Sequence, residues 1–203
     1  AAFWGVGAVY AQQLGYGKEI IAGFISAVII GGALLQWPLG WLSDQIDRRK
    51  VMAGAALLGA ASAAALSQLG DAGPMLLLVL GGLVGAFMIP MFGLAAAHAN
   101  DLADPGAAVE TNGGLLLLHG CGSVVGATLG AIMMSAFGPP FLFVYIAAIY
   151  VILGGFCLVR VLWKQGRIPE QKTPFTPAPN IASPTVFEIG AEKPEEEPAR
   201  AIG

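Results

Sequence analysis

The segment 40–50 carries the densest cluster of ionisable groups that the sequence places between its apolar runs. Carboxylates and cations at this spacing can form ion pairs with one another and can bind the backbone groups of helix ends. Because charged groups are costly inside a bilayer, so dense a cluster must lie in water, at a membrane face. The five ionisable residues, all within seven positions, are Asp44, Asp47, Arg48, Arg49 and Lys50.

His119 is the one ionisable side chain that lies well inside a predicted membrane span. On a helix it shares about 100° of arc with Ser123 and with the glycines of a Gly-x3-Gly pattern, Gly122, Gly126 and Gly130. An imidazole within a membrane can relay protons or recognise a substrate. The glycine spacing indicates close helix packing instead, in which a neutral His binds a carbonyl. Both interpretations of His119 stay open.

Gln36 interrupts the second apolar run of the sequence. It shares one helix face with Gly32, Gly40 and Asp44, and it lies about 12 Å from Asp44 along the helix axis. Gly40 permits the close approach of a neighbouring helix. Gln36 is a candidate for contact with a substrate, and its alternative role is a hydrogen bond to another helix.

Other candidates lie in the first and fourth apolar runs. Tyr10 and Gln12 lie late in the first run, where they can supply polar contacts to a cavity, although Tyr10 also suits an interfacial anchor. Gly81 and Gly85 are four residues apart and precede Pro90, a combination that suits a packed and bent helix. We expect these two glycines to serve in helix packing.

Several kinds of site are excluded by the residues present. Apart from Arg160 near the end of the sixth, the predicted spans contain no Asp, Glu, Lys or Arg, so ion coupling resides elsewhere or transport is uncoupled. The sequence offers no catalytic Ser/His/Asp set, no phosphate-binding loop and no metal-ligand spacing. The only cysteines, Cys121 and Cys157, lie in apolar runs and are expected to be buried free thiols. We therefore expect no enzyme, no metal site, no cofactor and no nucleic-acid partner.

The apolar runs that must position these residues predict an all-α membrane protein. With 56% hydrophobic and 11% charged residues, the composition is typical of helices in a lipid bilayer. A span needs about 20 mainly apolar residues, and the first run is short enough to indicate that its helix begins before residue 1. Six transmembrane helices are predicted, over residues 1–17, 20–43, 51–70, 75–97, 113–137 and 141–163.

The breaks between spans have recognisable compositions. A Gly- and Pro-containing turn follows the third span, a polar connection is predicted over 98–112, and Gly138-Pro139-Pro140 divides a long uncharged stretch. Beyond residue 163, seven of the chain's 13 prolines and the run Glu195-Glu196-Glu197 predict a disordered tail over 164–203. The domains expected are a six-helix bundle over 1–163 and this tail.

Lys and Arg are distributed unevenly between the two predicted faces of the membrane. Only Lys18 falls on one face, and seven cations fall on the other. The positive-inside rule then predicts that segment 40–50 and the C-terminus are cytoplasmic, in a bacterial inner (plasma) membrane. The seven cations are Arg48, Arg49, Lys50, Arg160, Lys164, Arg167 and Lys172.

The segment 40–50 resembles the loop signature of the major facilitator superfamily (MFS): Gly, three residues, Asp, a basic residue, any residue, Gly and further basic residues. Gln45 and Asp47 depart from that pattern, in the manner of the second copy of the motif in a transporter's C-terminal half. The strings 34–40, 97–101 and 114–120 are similar to the C-terminal half of a YcaD-type bacterial branch. The residues that match the signature are Gly40, Asp44, Arg48, Arg49 and Lys50.

The resemblance covers residues 1–163 and implies half of a twelve-helix bundle. It implies a secondary transporter that moves a small solute by alternating access, with an N-terminal six-helix half, the lipid bilayer and a small-molecule substrate as partners. It also implies that Gly40, Asp44 and the three cations form a conformational gate. On the alternative interpretation the segment is a solvated turn that only sets topology.

A second hypothesis comes from a different functional class. A six-helix bundle without charges in its spans can also be a structural or assembly subunit of a larger membrane complex. A half-length carrier that restores the solute path by forming a homodimer is a further alternative.

Overall fold

The structure is a computed structural model that describes residues 2–104 and 106–163. In this part of the chain there are six α-helices and no β-strand, which confirms the predicted all-helical class. The tail predicted over 164–203 lies outside the described residues. The helices are α1 (Ala2–Gln13), α2 (Lys18–Gln45), α3 (Arg48–Leu69), α4 (Pro74–Leu102), α5 (Ala108–Phe137) and α6 (Phe141–Trp163).

Five of the helices, α2 to α6, are long and apolar enough to cross a membrane. The first helix is the exception to the predicted set of six spans. It has 12 residues, and a crossing helix needs about 20. The described part of the chain therefore supplies five candidate spans and one shorter helix.

The boundary between α5 and α6 lies where the sequence predicts it. Gly138 has a φ of 99°, a backbone conformation that glycine adopts readily, and its N–H donates to the Met134 carbonyl at 3.0 Å to close α5. The two prolines that follow cannot continue α5 because they lack backbone donors. As a result α6 occupies residues 141–163, the predicted range.

The polar connection predicted over 98–112 is wrong in its extent. Helix α4 continues to Leu102 and α5 begins at Ala108, so the described non-helical residues of this stretch are only 103, 104, 106 and 107. The polar side chains of this stretch are satisfied in helical conformation: Asn100 donates to the Ala96 carbonyl at 2.9 Å. Helices can extend past the apolar core of a bilayer because water satisfies their polar groups there.

The segment 40–50 is also mostly helical. Only Ile46 and Asp47 separate α2 from α3. Asp47 is the N-cap of α3, and its Oδ1 accepts a hydrogen bond from the Arg49 backbone N–H at 2.9 Å. This cap fixes where α3 starts and hence the direction of the cations that follow.

The bundle is organised around the pairs α2 with α4 and α3 with α6, with α3 also packed on α4. Helix α1 lies against α5. An aromatic cluster joins α1, α2 and α6, and within it the Tyr10 and Phe143 rings meet edge to face with centroids 4.6 Å apart. A second buried cluster, of small and aliphatic residues from α3, α4 and α6, includes Ala53, Ala56, Met91 and Cys157.

Helices α2 and α4 touch backbone to backbone. A Cβ atom added at Gly85 would collide with the Val28 carbonyl, and one added at Gly31 would collide with the Gly82 carbonyl. Gly81 lies equally close to the Phe24 ring. Small residues allow such approach, and in lipid it is close packing of this kind that holds helices together.

Helices α2 and α5 are the most exposed of the five candidate spans. Of the most apolar 18 residues in each helix, 56% are buried in α3, 17% in α2 and 6% in α5. The exposed residues of α2 and α5 are largely apolar, for example Leu34, Trp37 and Leu117. Two helices of the bundle therefore present broad apolar faces outward.

Candidate functional site

Four helix ends meet at one end of the bundle: the C-termini of α2 and α4 and the N-termini of α3 and α5. Side chains from these ends bind one another across the helices, and we call them the polar end network. Its members are Ser43, Asp44, Arg48, Arg49, His98, Asn100, Asp101 and Asn112.

Arg48 is the centre of the network. Its Nη2 lies 3.0 Å from Asp44 Oδ1, at the end of α2, and its Nε lies 2.5 Å from Asp101 Oδ2, at the end of α4. Its Nη1 donates to the Ser43 hydroxyl at 3.1 Å. The planar guanidinium has several donors in fixed directions, so one arginine can hold two carboxylates and a hydroxyl together. Arg48 thereby joins α2, α3 and α4.

Arg49 makes a second link between α3 and α4. Its Nε donates to Nε2 of the half-buried His98 over 3.4 Å. In this geometry Nε2 is an acceptor, so the imidazole is neutral and carries its proton on the other nitrogen. His98 at the end of α4 therefore has a partner on α3.

Asn100 and Asn112 join α4 to α5. Each side chain donates to the other: Asn100 Nδ2 lies 3.2 Å from Asn112 Oδ1, and Asn112 Nδ2 lies 3.1 Å from Asn100 Oδ1. Each amide also donates to a carbonyl of its own helix, at 2.9 and 2.8 Å. The reciprocal pair holds the two helix ends together across the short connection.

Three of the eight members of this network could be identified from the sequence. Asp44, Arg48 and Arg49 are brought together, whereas Lys50 is exposed and has no place in the network within the described residues. The members on α4 and α5 lie in the stretch 98–112, which the sequence predicts to be a polar connection, so they are not identified as part of a site. The negative charge of Asp101 is the feature of the sequence that could indicate a partner for the cations. However, 53 residues separate Asp101 from Arg48.

Gly40 has open space around it. A Cβ added there would meet no heavy atom within 4 Å. The close helix approach expected at Gly40 is therefore not made by any described residue of this chain.

His119 lies on the exposed surface of α5. Its ring is 4.8 Å from the Phe92 ring of α4, centroid to centroid, at an angle of 60°. Within the described part of the chain the imidazole binds no carbonyl, which leaves the packing interpretation without its expected partner. The Ser123 hydroxyl is used locally, since it donates to the His119 backbone carbonyl at 2.7 Å.

The three glycines of α5 have different surroundings. A Cβ at Gly130 would lie 3.1 Å from Leu142 Cδ1 and 3.4 Å from Ala2 Cβ, so α5 packs closely on α1 and α6 there. At Gly122 no atom lies within 4 Å of an added Cβ, so the expectation of close packing fails at that position. Gly122 and Gly126 line a cavity of about 250 Å³ instead.

The remaining candidates are separated from one another. Tyr10 is 1% exposed and its hydroxyl donates to the Leu66 carbonyl at 3.0 Å, so it lies in the core and neither lines an open cavity nor reaches a membrane interface. Gln12 and Gln36 are exposed on α1 and α2. Gly81 and Gly85 lie in the contact between α2 and α4.

The polar end network can hold helices and release them, because its links are hydrogen bonds and ion pairs at a partly hydrated surface. Within residues 2–104 and 106–163 there is no group of three or more His, Cys, Asp or Glu side chains that could hold a metal ion. The chemistry available to the network is therefore electrostatic and conformational.

Comparisons with known proteins identify a family for this chain. The model of the Major Facilitator Superfamily matches residues 1–194. Proteins called "Uncharacterized MFS-type transporter YcaD" from Shigella flexneri and from Escherichia coli strain K12 / DH10B are 28% identical over 170 residues. The aligned region is 82% of this chain and 41% of each relative.

The chain thus spans about two fifths of the length of the curated relatives it matches. No solved structure matches it significantly. The family match covers most of the chain, and the apolar helices and the charged segment between α2 and α3 agree with it. The chain belongs to the major facilitator superfamily and is similar to its YcaD-type members.

Proposed function

We propose that this chain forms the C-terminal six-helix half of a secondary transporter, which moves a small solute by alternating access. Family membership and the membrane-spanning helices support a transport role. The match to two fifths of the relatives' length supports a half of a longer bundle. Transport of this kind needs no bond chemistry, so we expect no enzymatic activity.

The N-terminal half would cover the exposed faces of α2 and α5. The exposed residues on these faces are mainly apolar. A smaller share of α2 and of α5 is buried than of α3, α4 or α6. The open space at Gly40 lies on α2, four residues before Asp44. A helix of the other half can approach there without meeting a side chain.

The observation that carries the proposal is the double attachment of Arg48 to Asp44 and Asp101. It ties α2, α3 and α4 together at one end of the bundle while it is intact. In alternating access, one repeat moves against the other and the ends of the bundle open in turn. Loss of the Arg48 contacts would release this end and favour the state in which it is open.

The solute path would follow polar groups of α1, α2 and α5, among them Gln12, Gln36, His119 and Ser123. These groups are uncharged or weakly basic, and no Asp, Glu, Lys or Arg accompanies them in the apolar parts of the spans. A fully charged solute would have no counter-ion there. The solute is therefore apolar or amphipathic.

Transport in proteoliposomes tests the proposal. We expect the full polypeptide to carry amphipathic solutes across the vesicle membrane, and Asp44→Asn or Arg48→Gln to reduce the flux at least fivefold. Lys50→Gln is the matched control, because Lys50 is equally cationic and adjacent but lies outside the network. Labelling of a cysteine introduced at Gln36 would report the access state.

The proposal fails if the polypeptide shows no solute flux and if Asp44→Asn leaves the labelling of the Gln36 position unchanged. Isolation from native membranes provides the complementary observation. Stoichiometric recovery of unrelated subunits would indicate a structural role in a larger complex.

A further inference from the structure

A cavity lies among α1, α4, α5 and α6, away from the polar end network. Its volume is about 250 Å³, and all four helices contribute to its wall. Phe3 belongs to α1, Met88 to α4, Gly122 and Gly126 to α5, and Tyr145 and Tyr150 to α6.

The cavity lies beside a part of α5 that is between its two attachments to the bundle and has glycines at two of the lining positions. Toward its C-terminus, Gly130 packs against α1 and α6. At its N-terminus, Asn112 binds Asn100. Between these attachments Gly122 and Gly126 face the cavity wall with no side chain to fill it. The space is therefore built by the fold and is wider than a packing defect.

The size of the cavity suits a small molecule. An engineered protein cavity of roughly 150 Å³ with apolar walls holds benzene. At about 250 Å³, this cavity can hold a body of about two fused aromatic rings. Val125 and Ile149 line it and are 55% and 43% exposed, so it is open to the surface of the chain between α5 and α6.

The wall combines apolar side chains with those of Tyr145 and Tyr150. No charged residue lines the cavity, so its ligand is neutral. Within the described part of the chain, neither the Tyr145 nor the Tyr150 hydroxyl makes a hydrogen bond, in contrast to those of Tyr10 and Tyr16. A phenol hydroxyl at the edge of an apolar site donates to an acceptor on a bound molecule.

We propose that this cavity binds a neutral, membrane-dissolved molecule of about the size of two fused rings that carries a hydrogen-bond acceptor. The apolar body occupies the space beside Gly122 and Gly126, and the acceptor receives a hydrogen bond from Tyr145 or Tyr150. The site is internal to the six helices and requires no second bundle. Its occupation is therefore independent of the transport proposal and can be measured without flux.

Equilibrium binding to the full polypeptide in lipid nanodiscs tests the site. The probe is tritiated acetylnaphthalene, whose carbonyl is the acceptor, and ethylnaphthalene is its counterpart of similar shape without one. Empty nanodiscs measure how much probe dissolves in the lipid alone. We expect saturable binding above that background, with acetylnaphthalene bound more tightly than ethylnaphthalene.

Filling the cavity is the first perturbation. Gly122→Leu places a side chain at the wall where an added Cβ meets nothing within 4 Å, so the helix accepts it without displacement. We expect it to weaken binding of both probes at least tenfold. Gly120→Leu is the matched control, because Gly120 is on the same helix with equally open surroundings and does not line the cavity.

Removing the hydroxyls is the second perturbation. Tyr145→Phe combined with Tyr150→Phe is expected to weaken acetylnaphthalene binding about threefold to tenfold, as the loss of one hydrogen bond predicts, and to leave ethylnaphthalene unchanged. Tyr16→Phe is the control, since the Tyr16 hydroxyl donates to the Gly70 carbonyl outside the cavity.

Three results would overturn the proposal. One is no saturable binding of the probe above empty nanodiscs. Another is a failure of either set of variants to discriminate. Gly122→Leu and Gly120→Leu would then weaken binding equally, or the Tyr→Phe pair would change the binding of both probes equally. The last is that the probe binds only after lipid is stripped and is displaced by phospholipid, which would assign the cavity to an acyl chain.

Discussion

At the scale of single residues, Arg48 has more partners than any other side chain of the polar end. The carboxylates it binds are well exposed, with 63% of the Asp44 side chain and 48% of the Asp101 side chain accessible to solvent. Ion pairs at such surfaces contribute little to stability, because water screens them and ordering long side chains costs entropy. Their main consequence is to favour one arrangement of the helix ends over another.

A double-mutant cycle on Arg48 and Asp101 tests whether their ion pair contributes little to stability. We expect Arg48→Gln and Asp101→Asn each to destabilise the protein by about 1 kcal/mol or less, with a coupling energy of about 0.5 kcal/mol. Thermal unfolding in detergent, followed by circular dichroism, measures these energies at low and high salt. Because salt screens exposed charges, the coupling should fall as salt is added.

A coupling energy above roughly 3 kcal/mol, or one that is insensitive to salt, would contradict the exposed geometry and would indicate a buried pair. Lys50→Gln serves as the control for the loss of one positive charge. Its effect is expected to be within about 0.5 kcal/mol of zero.

The residues of the polar end network could be predicted only in part. The charge cluster of segment 40–50 is a local pattern in the sequence, whereas its contacts with α4 join residues that are far apart along the chain. The charge cluster and its spacing are visible within eleven residues, so Asp44, Arg48 and Arg49 stand out. Asp101 becomes their neighbour only when α4 is placed beside α3, and Asn112 joins the network only when α5 is placed beside α4. Similarly, Tyr10 looks interfacial from its position in the sequence, and only the fold shows that its hydroxyl reaches Leu66, 56 residues away.

At the scale of helices, the contact between α2 and α4 is the closest in the bundle. Its glycines allow carbonyl groups of one helix to lie against the Cα atoms of the other. In a membrane, dispersion contacts of this kind replace the hydrophobic effect as the source of helix association.

Gly85→Ala is expected to destabilise the protein by about 2 kcal/mol, because the added methyl group would collide with the Val28 carbonyl and force the helices apart. Gly93→Ala is the matched control on the same helix, where an added Cβ meets nothing within 4 Å. We expect little change from it. Thermal unfolding in detergent and the yield of folded protein compare the two variants, and equal behaviour would refute the close contact.

The helix boundaries show what the sequence can and cannot define. Glycine and proline gave the limits of α6, because their backbone restrictions act locally. The predicted end of α4 and the predicted start of α5 are misplaced because polar composition indicates exposure to water and does not by itself end a helix. The reciprocal Asn100–Asn112 pair, which allows both helices to extend, is a tertiary contact that composition does not reveal.

At the scale of the whole molecule, the distribution of Lys and Arg predicts how the protein is oriented in the membrane. The fold provides positions on both faces at which this orientation can be tested. Lys18 lies at the start of α2, while Arg48, Arg49 and Lys50 lie beyond its other end, so they are on opposite faces of any membrane that α2 crosses. The cytoplasmic face carries the excess of Lys and Arg. We therefore propose that the polar end network faces the cytoplasm.

Cysteine labelling in intact cells tests the orientation. In a background without Cys121 and Cys157, we expect Gly17→Cys to react with a membrane-impermeant maleimide from outside. Gln45→Cys should react only after the membrane is permeabilised. The reverse pattern would refute the orientation and would place the network on the outer face.

The backbone contact between α2 and α4 also has a consequence for natural variation. No side chain larger than hydrogen fits at Gly31 or Gly85, so substitutions there should be removed by selection as related chains diverge. Gly93, Gly113 and Gly120 have open surroundings and are free to drift. Among relatives that keep this helix pair, two glycines should persist because the backbones touch, whatever solute each lineage has come to carry.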